Sequence, residues 1–507
     1  MRLAKILAPL SMATDMSAGN PPGTSVAASV IAVRIGRRMG LSEADLSSLY
    51  YTGFLRFIGC TSTSSETAQI ALGDELTGYL ALTRADPADP DSVRAELEAI
   101  FAPDRPLEER RELIEMCVGM GPELMALGQP HCRQAVALAR RLPVPEDVMP
   151  ALARLECRWD DQHPIHPPGP EVMKQSLLVE FAAVAELHRR AGGLVSMVEV
   201  AKARRGGQFD PLAVDIFLED PRGITQGLEQ GGEWDAFLRE EPAPHVLTNA
   251  GGMREVAKAF ADFTDLKSVW FTGHSRQVAG LAFQGAVDCL DDEAECQAIF
   301  DSGLLHDIGR NAVPNGIWDK CEALNPIEQA QADSATFHTE QVLRTTEFFA
   351  TLCDTACSVN ERADGSGTHR RTRLSHGGPA LLAAANLFQE LTHDQPTRGA
   401  LSSGEAAEML LAEVHAGRLP RRETRHVLDA AGETREAQKV WPDGITNREA
   451  EVLRQVSLGK ANKEIARILG VSPKTVDNHL QNLYPKIGAD SRTAAALYAM
   501  EMGLFDF

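Results

Sequence analysis

GTSVAASVIAVRIGRRMGLSEADLSSLYYTGFLRFIG, residues 23–59, lies without a gap on GHSRQVAGLAFQGAVDCLDDEAECQAIFDSGLLHDIG, residues 273–309. Gly23, Ser25, Gly53, Leu55, Ile58 and Gly59 recur as Gly273, Ser275, Gly303, Leu305, Ile308 and Gly309. Self-similarity at one fixed offset marks a duplicated unit, here a tandem pair. Further on, RWDDQHP from Arg158 is echoed by RADGSGT from Arg362, and GGQFDP from Gly206 by AGRLPR from Ala416. Both copies therefore run to domain length, over roughly 1–240 and 250–435. The connector between them is REEPAPHVLTNAGG, and the Asp/Pro-rich stretch after Arg84 and HPIHPPGPE after His163 read as loops.

The 507 residues suit about three domains at ~150 residues each. No stretch approaches the ~18 uncharged apolar residues that a membrane helix needs, so the chain reads as soluble. The N-terminal MRLAKILAPLSMATDMS carries Asp15 and amphipathic spacing, which suits a first helix better than a signal peptide. Nine cysteines without a C-x-x-C pair fit reduced thiols, and hence a cytoplasmic protein. Aromatic residues make only 6%, while Ala, Leu, Glu and Arg abound, which favours helix over sheet. The expected fold class is all-α.

The net charge of −21 argues against a nucleic-acid partner until its distribution is examined. From Trp441 onward eight Lys and Arg balance eight Asp and Glu, so the preceding residues carry the whole excess. The boundary falls in AGETREAQKVWPDG, which places a third domain at 441–507. In it, Thr446 and Glu449 form a capping box before the apolar face of Ala450, Val452, Leu453 and Val456. A second helix runs from about Ala461 to Leu469 and stops at Gly470. Ser472 then caps a third helix with Pro473 at its first position. There Val476, Leu480 and Leu483 face inward, and Asp477, Asn478 and Gln481 occupy the opposite arc with base-reading chemistry. Lys463, Ser472, Lys474 and Thr475 flank that arc, the lysines and Thr475 as phosphate contacts. A fourth helix, from a Ser491 cap to Met502, is apolar enough through Ala495, Leu497, Tyr498 and Met500 to meet a partner.

This segment resembles the LuxR-type helix-turn-helix almost throughout residues 446–504. The resemblance implies a four-helix module whose third helix enters the major groove of double-stranded DNA, and a homodimer reading paired half-sites.

In the second copy His274 opens one helix and His306-Asp307 close another, within LLHDIGRNAVPNGIWDK. Adjacent His and Asp of this kind, with other His-bearing helices, hold divalent metal in HD-type phosphohydrolases. The copy is similar to the HD-GYP branch over nearly all its length, and active members of that branch hydrolyse cyclic di-GMP with two or three metal ions. Several ligand positions depart from the family pattern: Ala335, Val359, Asn360 and Asn386 stand where donors belong, and the GYP loop reads DGSGTH. His274, His306 and Asp307 remain, enough for one divalent metal ion and not for a two-metal clamp.

In the first copy Thr24, Arg56 and Phe57 occupy the positions of His274, His306 and Asp307. The expected function is thus a DNA-binding transcription regulator whose degenerate HD-GYP-like region senses a small effector and dimerises, with no catalytic residue. Arg310 and Arg362 are its anion-contact candidates. The alternative is a metal-dependent phosphohydrolase with a DNA-binding tail. Cys353 and Cys357 read either as buried thiols or as a thiol-based sensor, and His163 and His166 either as solvated loop residues or as ligands.

Overall fold

A computed structural model describes residues 1–103, 105–120, 128–160, 174–229, 231–432 and 442–501. His163, His166 and Met502 lie outside the described residues. Among those described there are helices and isolated bridges and no strand, so the fold is all-α as expected. The chain divides into two compact units, one of residues 1–259 with 314–316 and one of 260–313 with 317–507. The division falls inside the helix Ala250–Asp265, and the C-terminal module groups with the second unit.

The duplication is visible contact by contact. In the first unit the helix Thr24–Arg38 packs on Glu43–Leu55; in the second, His274–Val287 packs on Glu293–Leu305. Ser42 caps one second helix by accepting from Asp45 N at 3.2 Å, and Asp292 caps the other by accepting from Ala294 N at 2.9 Å. Gly53 and Gly303 let these helices touch, since a Cβ would meet Ser29 Cα at 3.0 Å and Ala279 Cα at 2.6 Å. Buried Asp15 accepts from the backbone N and the hydroxyl of Ser25, and buried Asp265 accepts from the same two groups of Ser275. Far along each copy, Trp159 N donates to Gln208 O at 3.1 Å, and Ala363 N to Arg418 O at 2.8 Å. Both echoes seen in the sequence thus occupy one tertiary position in each unit.

Each unit closes on its own core. Tyr50 stacks on Phe237 at 4.3 Å in the first, with its hydroxyl donating to Phe237 O. In the second, Val278, Ala282, Ile299, Leu381, Leu410 and Val427 bury around the helix Gly378–Thr392.

The C-terminal module folds nearly as its caps dictate, into helices Asn447–Ser457, Asn462–Leu469, Pro473–Ile487 and Arg492–Glu501. The Thr446–Glu449 capping box is present, Gly470 takes a left-handed φ of 65°, and Ser472 accepts from Thr475 N. Val476, Leu480 and Leu483 are buried with Ile465, Val452 and Leu453. In the fourth helix Ala495 and Ala499 join that core, and Leu497 and Met500 are buried within the chain. Tyr498 donates its hydroxyl to Asp443 at 2.6 Å. Of the residues expected to meet a partner, Ala495, Leu497 and Met500 are therefore used internally, and Tyr498 stays half-buried.

Candidate functional site

His274 enters the second unit's interior because Gly273, at φ 77°, turns the chain into the helix that His274 begins. His306 follows the last residue of Glu293–Leu305, and Asp307 leads into the short turn Ile308–Ala312. Thr339 ties that turn down by donating to His306 O and accepting from Gly309 N, both at 3.0 Å. The three side chains are buried, and their ligating atoms lie within 4.8 Å of one another. Among the described residues no other grouping of three His, Cys, Asp or Glu is this compact.

Two neighbours complete the cluster. Asn386 Oδ1 accepts from His274 Nε2 at 3.0 Å and His306 Nε2 at 3.2 Å, while its amide nitrogen donates to Glu390 at 3.2 Å. Asp307 Oδ2 lies 3.3 Å from His274 Nε2, 3.0 Å from His306 Nε2 and 2.9 Å from Arg310 Nη2. Arg310 lies over the Phe271 ring at 4.1 Å, which supports its guanidinium from the other side.

The protonation pattern follows from these partners. Burial opposes charge on every member. At His306 the Asp307 carboxylate outweighs burial and holds the imidazole above its usual pKa. Its Nδ1 faces Gly303 O at 2.7 Å, an obligate acceptor, so both ring nitrogens donate and the ring is an imidazolium. At His274 burial prevails and the pKa falls, so this ring is neutral with its proton on Nε2. Burial also raises Asp307, but Arg310 and His306 outweigh it and hold that carboxyl well below the usual range.

For a divalent ion, the donors that fit are His274 Nε2, His306 Nε2 and Asp307 Oδ2. They would hold one ion after loss of the His306 Nε2 proton and a shift of the His274 proton from Nε2 to Nδ1. A second set is missing: Ala335 and Val359 carry no donor, and the Asn360 amide donates to Thr336 Oγ1 at 3.2 Å. Arg310, the first anion-contact candidate, lies in the cluster, paired with Asp307. Arg362 is engaged elsewhere, donating to the carbonyls of Val359 and Glu361. Sequence reading missed the two-imidazole contact of Asn386, and also Glu390, which receives the Asn386 amide and lies 3.6 Å from Arg310.

In the first unit Arg56 pairs with Glu180 at 2.6 Å, both buried, where the second unit has His306. Thr24 donates to Pro21 O, and His131 Nε2 meets Arg56 O at 3.1 Å. A small cavity of about 50 Å³ remains, lined by Arg56, Phe57, Tyr79 and His131 among others.

On the C-terminal module, Lys463, Ser472, Lys474, Asp477, Asn478 and Gln481 are exposed and Thr475 is half-buried. Gln481 donates to Asp477 at 3.3 Å, and the Thr475 hydroxyl bonds that of Ser472 at 2.7 Å. The expected base-reading arc is therefore one continuous polar face of the third helix.

An HD-type helical region with its His-Asp pair, followed by a helix-turn-helix module, defines the class of protein. Residues 258–419 match the HD domain family, and residues 443–499 match the luxR family of bacterial regulatory proteins. The chain is 24% identical over 420 residues to 3′3′-cGAMP-specific phosphodiesterase 3 of Vibrio cholerae, covering 82% of this chain and 91% of that one. It is 35% identical over 132 residues to an uncharacterized transcriptional regulatory protein, YhcZ, of Bacillus subtilis, covering 25% of this chain and 56% of that one. A crystal structure of a cyclic GMP-AMP specific phosphodiesterase of V. cholerae shares the fold, with a TM-score of 0.57 and 22% identity over 86% of this chain and 99% of that one. No helix among the described residues is long and apolar enough to cross a membrane.

Proposed function

We propose that this chain is a cytoplasmic transcription regulator: the LuxR-type module binds double-stranded DNA, and the HD-derived region serves as a non-catalytic sensory and dimerisation module. The observation that carries the non-catalytic reading is the environment of the surviving trio. The carboxylate of Asp307 is neutralised by Arg310 and an imidazolium, and Asn386, a neutral amide, faces both imidazoles. A metal-bound hydroxide clamped against a phosphate needs several anionic and imidazole donors at once, and only three remain. Arg310, beside the trio, supplies a cationic group for a phosphate-bearing effector that binds without being cut, whereas Arg362 is spent on backbone carbonyls. A homodimer suits paired half-sites.

A second reading is a metal-dependent phosphohydrolase acting on a cyclic dinucleotide. It is favoured by the convergence of His274, His306 and Asp307 and by the named activity of the V. cholerae relative.

One experiment separates the two. The purified chain is assayed with 3′3′-cGAMP and cyclic di-GMP in the presence of manganese, iron or magnesium, and its affinity for a selected operator is measured with and without each nucleotide. No turnover, with nucleotide-dependent operator affinity, supports the sensor. Steady turnover lost in His306→Ala and Asp307→Ala establishes the phosphohydrolase instead. Sedimentation of the chain with and without operator tests the dimer, and a monomer under both conditions excludes it.

A further inference from the structure

The helix Glu347–Ala356 carries a second group of reactive side chains that the HD site does not use. Cys353 lies in its last turn and Cys357 is the residue that ends it. Their Sγ atoms are 3.8 Å apart and both side chains are buried. Arg370 covers the pair: its Nη2 lies 3.9 Å from Cys353 Sγ, and its other contacts are to Glu340 and Asp354 at the surface. The arginine side chain is itself partly exposed, so the thiol is about one side chain deep.

The surroundings select the chemistry. A soft metal ion would meet two thiols, no third Cys or carboxylate within ligating distance among the described residues, and a guanidinium on one side. The same guanidinium stabilises a thiolate. The Arg370 guanidinium lies against Cys353, and the Cys357 hydrogen bond lowers the Cys353 thiol below its ordinary value, so Cys353 takes the part of the nucleophile. Closure falls at the helix end. Cys357 is the residue that ends the helix, and its N–H closes the last helical bond, to Cys353 O at 2.9 Å.

We propose that Cys353 and Cys357 form a reversible dithiol–disulfide couple oxidised by hydrogen peroxide. The Cys353 thiolate attacks the peroxide oxygen; an S–O bond forms, the O–O bond breaks, and hydroxide leaves to become water on taking up a proton. The Cys357 thiol then attacks Cys353 Sγ. The S–S bond forms, the S–O bond breaks, and a second water carries away the Cys357 proton. Two thiols are oxidised and one peroxide is reduced, and a dithiol reductant reverses the change.

The couple reaches the neighbouring structure through short contacts. Cys357 Sγ lies 4.0 Å from Thr336 O, and Asn360, three residues on, donates to Thr336 Oγ1. Thr336 shares its helix, Ala335–Leu343, with Thr339, which holds the His306 turn. Drawing Cys357 toward Cys353 therefore pulls on the segment that replaces the missing metal ligands. This inference stands whether that region senses or hydrolyses.

The test treats the full-length reduced protein with hydrogen peroxide and maps thiols by mass spectrometry, with exposed Cys321 as the internal standard. The expected result is a peptide containing Cys353 and Cys357 that has lost two hydrogens, formed at least as fast as Cys321 is oxidised and restored by dithiothreitol. Cys357→Ser should accumulate a sulfenic acid at Cys353 that dimedone traps. Oxidation of Cys321 while Cys353 and Cys357 stay reduced overturns the proposal, and this outcome is read on the wild-type chain, independent of how well any variant folds.

Discussion

Oδ1 of Asn386 lies 3.2 Å from Nε2 of His306, on the side of the ring opposite the carbonyl of Gly303. An amide oxygen can accept from the imidazolium but adds no charge to draw a metal. Asn386→Asp should therefore strengthen manganese binding by about tenfold or more, the range over which neighbouring groups tune metal affinity. In both proteins the affinity should rise with pH, because the ion competes with the His306 proton. Calorimetric titration checks both points, and equal affinities in the two proteins would count against the role assigned to Asn386.

Arg56 and Glu180 are both buried, and Glu180 also accepts from Gln208 at 3.1 Å. Removing one charge strands the other, so Arg56→Met should destabilise the first unit by about 3–5 kcal/mol. Arg56→Met with Glu180→Leu should recover most of that loss. Urea unfolding of the single and double variants decides; a double variant no more stable than Arg56→Met would show that the pair is not the source.

Burial raises the Asp15 carboxyl to about 7 and the Asp265 carboxyl to about 8. Between the ordinary value of 3.8 and these values the folded chain binds more protons than the unfolded one. Stability from these groups is therefore greatest in acid and is lost as pH rises through that window. Asp307, held low, contributes in the opposite sense, so the comparison must be differential. Asp265→Asn should lessen the fall in stability between roughly pH 5 and 8 relative to wild type. An unchanged pH profile of the urea midpoint would falsify the buried neutral carboxyl.

Asn478 and Gln481 lie exposed on one arc of the third helix of the C-terminal module, and Lys474 lies near its start. Replacing either amide residue by Ala should cost about 1–3 kcal/mol at one base pair and relax preference there. Lys474→Ala should weaken all sequences alike and reduce the salt slope by about one. Fluorescence anisotropy against an operator and its single-base variants distinguishes the two effects. Wild-type affinity in all three variants would remove the third helix from the DNA interface.

The Asp15–Ser25 and Asp265–Ser275 clamps had a signal in the chain that the self-match left unused. Extended upstream at the same offset, the match places Thr14-Asp15 on Thr264-Asp265. Asn386 had a weaker signal. It was legible as a lost acid, but its contact with two imidazoles arises from residues 112 and 80 positions away. Glu180 as the partner of Arg56 had none, since the two stand 124 positions apart and no pattern links them.

The sequence alone determined the duplication, the all-α class and the helices of the C-terminal module, because caps, glycine stops and apolar periodicity act within a few residues of one another. Only the tertiary structure decided that Arg310 neutralises Asp307, that the fourth helix spends Leu497 and Met500 inside the chain, and that Cys353 lies under Arg370. Those relationships join side chains from separate elements. They are set by how packed helices close against each other, where a residue's neighbours are chosen by the whole core rather than by the adjacent chain.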